Sequence, residues 1–336
     1  MMDAPHIPVL LDEVINHLEP LAGGLYVDGT FGAGGYARAV LGIDGTRVLG
    51  IDRDPSAREA ADLLKRAYPE RFAFAEGPFS LMEDVIERAQ SSGVDGVMID
   101  LGVSSMQVDR PERGFSFNKD GPLDMRMSRS GPSAADAVNG LTQNELTSIF
   151  RAYGEERYAR RAAQFIEEAR KTRRIDTTLD LAEIVARAVG GKPGRTHPAT
   201  RVFQGLRIFV NDELGELARG LAAAERVLKP AGRLVVVTFH SLEDRMVKHF
   251  LRDRAGFAPG GSRHAPAIEP EHPPSFSLLT RKAVEPDAGE AEANPRARSA
   301  KLRAAVRTDN AAWPRPSGGV PGAPPFQRLL EVQGSC

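Results

Sequence analysis

Between Leu25 and Ser104, short apolar runs alternate with stretches in which apolar residues recur at helical spacing. Leu25–Asp28, Arg47–Asp52, Phe72–Ala75 and Gly96–Leu101 have the length and composition of strands. Tyr36–Leu41, Ser56–Ala67 and Leu81–Gln90, between them, carry the periodicity of helices. This alternation predicts a parallel sheet buried on both faces, because each crossover helix must lie against one face of the sheet it connects.

After Ser104 the rhythm changes. Residues 107–139 are loop-rich, and from Thr142 to Val210 the pattern is helical, with Gln143–Ala152, Glu155–Lys171, Leu179–Val189 and Thr200–Val210 set apart by Gly- or Pro-bearing breaks. Strand character returns at Arg233–Phe239, after a helix that Pro230 and Gly232 are expected to end. Ser277–Ala283 and Ser299–Arg307 read as an antiparallel edge pair, separated by a polar loop at Glu285–Asn294. The Pro- and Gly-rich sequence beyond Asp309 reads as a disordered tail. The expected organisation is an α/β domain in two parts (1–106 and 211–308), an inserted all-helical domain at 107–210, and the tail at 309–336.

The turn after the first strand, Asp28-Gly29-Thr30-Phe31-Gly32-Ala33-Gly34-Gly35, is the first piece of candidate chemistry. Gly29, Gly32 and Gly34 allow a tight strand-to-helix turn whose bare backbone comes close to a ligand. A dinucleotide site has G-x-G-x-x-G, with the pyrophosphate on the helix N-terminus. Here the order is G-x-x-G-x-G and an acid precedes the first glycine, nearer to the acidic loop of S-adenosylmethionine methyltransferases. Asp52, closing the next apolar run, suits a pair of ribose hydroxyls. Taken alone, the loop also fits a glycine-rich turn in some other α/β protein.

Composition narrows the partners. The chain has 336 residues, 41% hydrophobic and 26% charged, with a net charge of −1, so a nucleic-acid surface must be local. Its one cysteine, Cys336, rules out a disulfide framework or a cysteine metal site. No apolar run is long enough to span a membrane, and residues 1–16 lack a signal-peptide pattern, so the expected compartment is the cytoplasm.

Further candidates lie beyond the strands. Asp100-Leu101-Gly102-Val103-Ser104-Ser105 ends the fourth strand, where open α/β sheets bind ligands, and Asp100 there could accept the hydrogens of an amine nucleophile or simply cap the next turn. Phe115 and Phe117 suit base stacking or the pinning of a long loop. Arg157, Arg160, Arg161, Arg170, Lys171, Arg173 and Arg174, and then four more basic residues between Lys192 and Arg207, would fit phosphate contacts or an ordinary solvated face. His197-Pro198-Ala199-Thr200-Arg201 reads as a helix start. Ser241 and Asp244 have capping-box spacing, which leaves His240 either buried or lining an acceptor pocket.

Strung along most of the chain, these motifs resemble the bacterial small-subunit ribosomal RNA cytosine-N4-methyltransferases, the RsmH or MraW family. The likeness runs from His6–Glu13 through Asp28–Gly35, Gly50–Pro55, Gly77–Ser80, Asp100–Ser105, Arg113–Phe117 and Asp120–Met127, then Tyr153–Arg157, His197–Arg201, Phe239–Arg245 and Asn294–Ser299. It implies a Rossmann-like class I sheet with an inserted all-helical substrate-recognition domain. It also implies S-adenosylmethionine contacts at Gly34, Gly35, Tyr36, Asp52, Phe79, Asp100 and Gln107, with Gly32 added from the turn itself. The family often has His at Tyr36 and Pro at Met106. Asp100 is the expected catalytic acceptor, and Arg113, Phe115, His197, Arg201 and His240 are expected to hold the substrate. The partner implied is 16S ribosomal RNA in the small subunit, with no metal required. A nicotinamide dehydrogenase, a non-catalytic RNA-binding assembly protein and a methyltransferase of DNA or protein are the competing readings.

Overall fold

A computed structural model describes residues 8–190, 197–257 and 272–314. The described residues up to Gly102 and from Gly215 onward form one compact unit, and Val103–Leu214 form another.

The first unit holds the expected Rossmann-like sheet. Its strands are β1 (Leu25–Asp28), β2 (Arg47–Asp52), β3 (Phe72–Glu76), β4 (Val94–Asp100), β5 (Leu228–Thr238), β6 (Phe276–Leu278) and β7 (Lys301–Arg307). They lie in the order β3-β2-β1-β4-β5-β7-β6, with β1 to β5 parallel and β7 antiparallel to both β5 and β6. Because side chains alternate along a strand, the sheet sorts its apolar residues into two cores. Leu25, Val27, Leu49, Ile51, Val97, Ile99, Leu234 and Val236 pack with Met82, Leu217, Leu221 and Val247 on one face. Tyr26, Val48, Met98, Val235 and Val237 pack with Val14, Leu18, Val40 and Leu64 on the other.

Val14, Leu18, Val40, Leu64 and Met82 come from α1 (Leu11–Leu18), α2 (Gly35–Leu41), α3 (Arg58–Ala67) and α4 (Met82–Arg88). In the second unit they are followed by α5 (Ser105–Val108), α6 (Ala134–Gly140), α7 (Gln143–Ala152), α8 (Ala159–Arg170), α9 (Thr178–Val189) and α10 (Thr200–Val210). The series ends with α11 (Glu213–Val227), α12 (Ser241–Arg254) and α13 (Ala288–Ala293).

Several boundaries differ from the sequence reading, each for a local reason. α11 stops at Val227, before Pro230 and Gly232, and the chain passes directly into β5. There the pairing with β4 is irregular between Val94 and Gly96, so Pro230 and Gly232 sit in a distorted strand start. α8 begins at Ala159, not Glu155, because Glu155 has φ 49° and the buried Glu156 takes the Tyr158 N–H at 2.8 Å. The stretch read as loop before Asn139 contains α6, capped reciprocally by Ser133 and Asp136. The polar segment after Val284 contains α13, capped by Asp287. Residues 309–314 are held in place: Trp313 donates its backbone N–H to Glu225 Oε1 at 3.0 Å and its indole N–H to the Pro273 carbonyl at 2.9 Å. The rest of the expected tail, and Lys192 and Arg195, lie outside the described residues.

In the second unit, two asparagines organise the loop-rich segment. Asn211 donates to the Met125 carbonyl at 2.7 Å and accepts from the Met127 N–H at 2.8 Å. Asn139 pairs in the same two-sided way with the backbone of Ile175.

Candidate cofactor and catalytic site

The candidate site is built where β1, β2 and β4 end. β1 is central and fully buried, so its last residue, Asp28, is delivered into the interior. The following turn is fastened to both neighbouring strands, by Gly29 N–H to the Met98 carbonyl and Phe31 N–H to the Ile51 carbonyl, each at 2.9 Å. Gly34 has φ +75°, and a Cβ there would lie 2.6 Å from the Phe31 ring, so packing and backbone both demand glycine. Gly32 has φ +52°, yet a Cβ would meet nothing nearer than the Thr30 carbonyl at 3.8 Å. The space above Gly32 is therefore open to a ligand. At Gly35 a Cβ would fall 2.2 Å from Pro8, so that glycine serves close packing.

Asp52, at the end of β2, accepts Gly32 N–H on Oδ2 at 2.7 Å and Asp54 N–H on Oδ1 at 2.8 Å. These bonds fix the carboxylate and leave each oxygen a lone pair, an arrangement that can receive two vicinal hydroxyls. Burial pushes the Asp52 carboxyl up to about 6, against the opposing pull of the two N–H donors.

Asp28 and Asp100 end the adjacent parallel strands β1 and β4 beside the glycine turn. Asp28 Oδ2 accepts Ala37 N–H at 3.2 Å, while its Oδ1 is buried without a hydrogen-bond partner. Burial raises this carboxyl to about 7, helped by the negative charge of Asp52. Asp100 N–H donates to Thr30 Oγ1 at 2.6 Å, which ties the end of β4 to the glycine turn. Asp100 Oδ1 is likewise buried and unpartnered. Desolvation first, then repulsion from Asp28 and Glu243, hold the Asp100 carboxyl well above the usual carboxylate range, with Tyr36 working in the opposite direction. Tyr36 is buried, donates its hydroxyl to the Val9 carbonyl, and is raised by burial and then by Asp100 and Asp28.

At the end of β5, the capping box over α12 is built by His240 and Glu243, one residue earlier than the Ser241–Asp244 pair read from the sequence. Glu243 Oε2 takes Phe239 N–H at 2.9 Å and His240 N–H at 3.2 Å, while His240 Nδ1 accepts Glu243 N–H at 3.4 Å. His240 Nε2 lies 3.1 Å from Glu243 Oε1 but is buried and makes no hydrogen bond, so helix capping accounts for Nδ1 alone. Sequence reasoning passed over Glu243 because histidine is not among the usual N-cap residues.

Phe79 is buried beside the glycine turn: a Cβ at Gly29 would lie 3.2 Å from Phe79 Cβ, and one at Gly220 2.0 Å from its ring. The next residue, Ser80, gives both its N–H and its hydroxyl to the buried Glu216, at 2.8 and 2.9 Å. Nothing in the sequence pattern marked Glu216, which sits 136 residues away in α11.

The remaining candidates belong to the second unit. Gln107 is buried, and its Oε1 accepts Ser104 N–H at 2.9 Å in a local turn. Arg113, expected at a substrate surface, is buried and donates to the carbonyls of Arg126 and Met127 at 3.0 and 3.1 Å, so its guanidinium braces the loop. Its side chain also lies over the Phe115 ring at 5.7 Å. Phe117 stacks against His197 and edge-on to Phe203, with both centroid separations 4.7 Å. His197 is exposed and its Nδ1 accepts Ala199 N–H at 3.2 Å, and the exposed Arg201 donates to the Glu155 carbonyl at 3.0 Å.

Part of the basic helical face is internally neutralised. Arg170 pairs with Glu167, Lys171 with Glu168, Arg173 with Asp180, and Arg174 with Asp136 and Asp176. Arg157, Arg160 and Arg161 are exposed and enter no ion pair among the described residues.

Residues 3–308 match the MraW methylase family. Among similar proteins, the ribosomal RNA small subunit methyltransferase H of Maricaulis maris is 62% identical over 314 residues, 93% of this chain and 94% of that protein. The protein of the same name from Caulobacter vibrioides is 59% identical over 93% of this chain and 99% of its own. That of Paramagnetospirillum magneticum is 56% identical over the same shares.

Proposed function

The chain belongs to the MraW methylase family, and from that membership and the cleft's geometry we propose that it methylates the exocyclic N4 of a cytidine in the decoding centre of 16S ribosomal RNA. It is an S-adenosylmethionine-dependent methyltransferase with the class I sheet. When bound, the cofactor supplies an electrophilic methyl group carried on a sulfonium.

The protein's own residues supply place and polarity. Asp52, fixed by Gly32 and Asp54, holds the two ribose hydroxyls, and the open backbone at Gly32 lets the ligand lie against the turn. The orphaned oxygens of Asp28 and Asp100 fit a cationic ligand, because each is buried, lacks a hydrogen bond and carries potential negative charge. Phe79 and Tyr36 wall the cleft with apolar and aromatic surface.

The observation that carries the chemistry is Asp100: it ends β4 and hangs from Thr30 with one carboxylate oxygen unpartnered. A cytosine amine is a weak nucleophile, since its lone pair is delocalised into the ring. Asp100 Oδ1 would accept a hydrogen bond from one amine hydrogen, orient the amine lone pair and take up that proton as positive charge develops on nitrogen, so that the methylated amine is left neutral. The target base leaves its stack to reach the cleft. The helical unit supplies RNA recognition through the Phe117–His197 pair, Arg201 and the unpaired Arg157, Arg160 and Arg161. Arg113 acts behind Phe115 as a brace.

Label transfer tests the proposal. Small ribosomal subunits from a strain lacking this gene are incubated with methyl-labelled S-adenosylmethionine and digested to nucleosides. Label in N4-methylcytidine at the decoding centre is the expected result, with Asp100→Asn losing turnover far more than cofactor affinity. Cofactor binding without label in RNA would move the search to DNA or protein substrates. Subunit binding that survives without any methyl transfer would favour an assembly factor.

A further inference from the structure

Asp28 opens the glycine turn that the sequence singles out but is not among the residues expected to contact the cofactor, and its side chain is buried with one oxygen unpartnered. β1 and β4 are parallel neighbours with Asp28 level with Met98, so Asp28 and Asp100 close adjacent strands at one end of the sheet. Both present a buried Oδ1 without a hydrogen-bond partner. Among the described residues, neither enters an ion pair.

Among the described residues, the side chains whose charge acts on the pair are acidic: Asp28 faces Asp52 from β2, Asp100 from β4 and Tyr36 from α2, and its N–H donors are the backbone of Thr30 and Ala37. Asp100 faces Asp28 from β1, Glu243 from α12 and the Tyr36 hydroxyl. A cluster of buried acids with no cation is costly, and a protein relieves that cost by protonating a member or by binding a positive charge. With no cation beside them, burial and their acidic neighbours raise Asp28 to about 7 and Asp100 well above its usual range.

We propose that Asp28 and Asp100 form a charge-sensing pair that releases a proton to solvent when a cationic nucleoside occupies the cleft, and so selects that ligand over a neutral nucleoside of the same shape. The inference rests on the reading that this cleft takes S-adenosylmethionine, and adds a role for Asp28 in choosing it. A cation within about 4–6 Å lowers a carboxyl pKa by roughly 1–3 units. Asp28, raised to about 7 on its own, is therefore ionised near neutral pH with the ligand in place, and its lost proton appears in the buffer. The sign follows: affinity for the cation rises with pH through neutrality, because less protonated enzyme has to give up its proton. A ligand without positive charge gains nothing from the ionised carboxylate.

Calorimetric titration near neutral pH, in two buffers of unlike ionisation enthalpy, counts the protons directly. The ligands are S-adenosylmethionine and 5′-methylthioadenosine, which keeps the nucleoside and the thioether but carries neither sulfonium nor ammonium. We expect release of about half a proton or more with S-adenosylmethionine, since a group with a pKa near 7 is about half protonated there, and release near zero with the neutral ligand. Asp28→Asn should at least halve the release and flatten the rise of S-adenosylmethionine affinity with pH. Equal proton counts for the two ligands, or an undiminished count in a folded Asp28→Asn protein, would overturn the inference while leaving the cofactor site standing. Should the variant fail to fold, the comparison of the two ligands on the natural protein decides alone. Binding of neither ligand would overturn the inference together with the cofactor reading beneath it.

Discussion

The backbone N–H of Asp100 is bound to the side-chain oxygen of Thr30 at 2.6 Å, a bond that spans 70 residues and joins the end of β4 to the glycine turn after β1. The residue assigned to the chemistry is thereby fixed to the loop assigned to the cofactor. Thr30→Val keeps the volume and removes the acceptor, leaving a part-buried amide unpaired at a cost of about 1–3 kcal/mol. We expect a matching fall in unfolding free energy by urea titration. Turnover should fall further than cofactor affinity does, because Asp100 loses its registration with the turn.

Asp52 and Asp28 make stability depend on pH in an unusual sense. Their carboxyls are raised to about 6 and about 7 in the folded protein, against about 3.9 in an unfolded chain. The native state thus holds more protons than the unfolded state across that window. Their contribution to stability is complete below the unfolded pKa and is lost as pH rises through the folded values. The ligand-free protein should therefore lose stability from these groups between about pH 4 and pH 7. Asp52→Asn should flatten the fall measured by urea unfolding over this range, and identical pH slopes in the two proteins would refute the assignment.

Arg113 separates bracing from substrate contact. Its guanidinium is buried against the carbonyls of Arg126 and Met127, so Arg113→Ala strands acceptors in the loop interior at a cost of about 1–3 kcal/mol for each one left unsatisfied. The expected outcome is a lower melting temperature with or without RNA. An unchanged melting temperature with a raised KM for ribosomal subunits would return Arg113 to the substrate surface.

Arg157, Arg160 and Arg161 make the opposite prediction. They are exposed and free of ion pairs among the described residues, so replacing all three with Ala should change stability little. RNA affinity should fall at low salt. The slope of log affinity against log salt should become shallower by about 0.7 for each single-strand phosphate that is no longer neutralised. An unchanged slope would mean that this face is merely solvated.

The strands were legible because burial on both faces writes itself as short apolar runs. β1 and β2 begin and end where the sequence pattern places them. The glycine turn and Asp52 were legible for a related reason: a tight turn at positive φ and a strand-end acid leave local marks. α6 and α13 were missed because they are short, Ala-rich and polar, and their reciprocal or single-residue caps outweigh weak periodicity. The basic count between Arg157 and Arg174 misled because three of its neutralising partners, Asp136, Asp176 and Asp180, lie beyond that window.

By itself, then, the sequence determined the order of elements, the alternation that builds two cores, the glycine turn and the family. These are properties of spacing along the chain, where helix and strand periods and the steric freedom of glycine act over a few residues. Only the tertiary structure decided which carboxylates share one cleft, that Asp28 and Asp100 each keep an unpartnered oxygen, that His240 is a cap and that Arg113 is a brace. The buried carboxylates and the Arg113 brace depend on desolvation and on partners 13 or more residues away, which no local pattern encodes, while the His240 cap is local but uses a residue type that caps rarely.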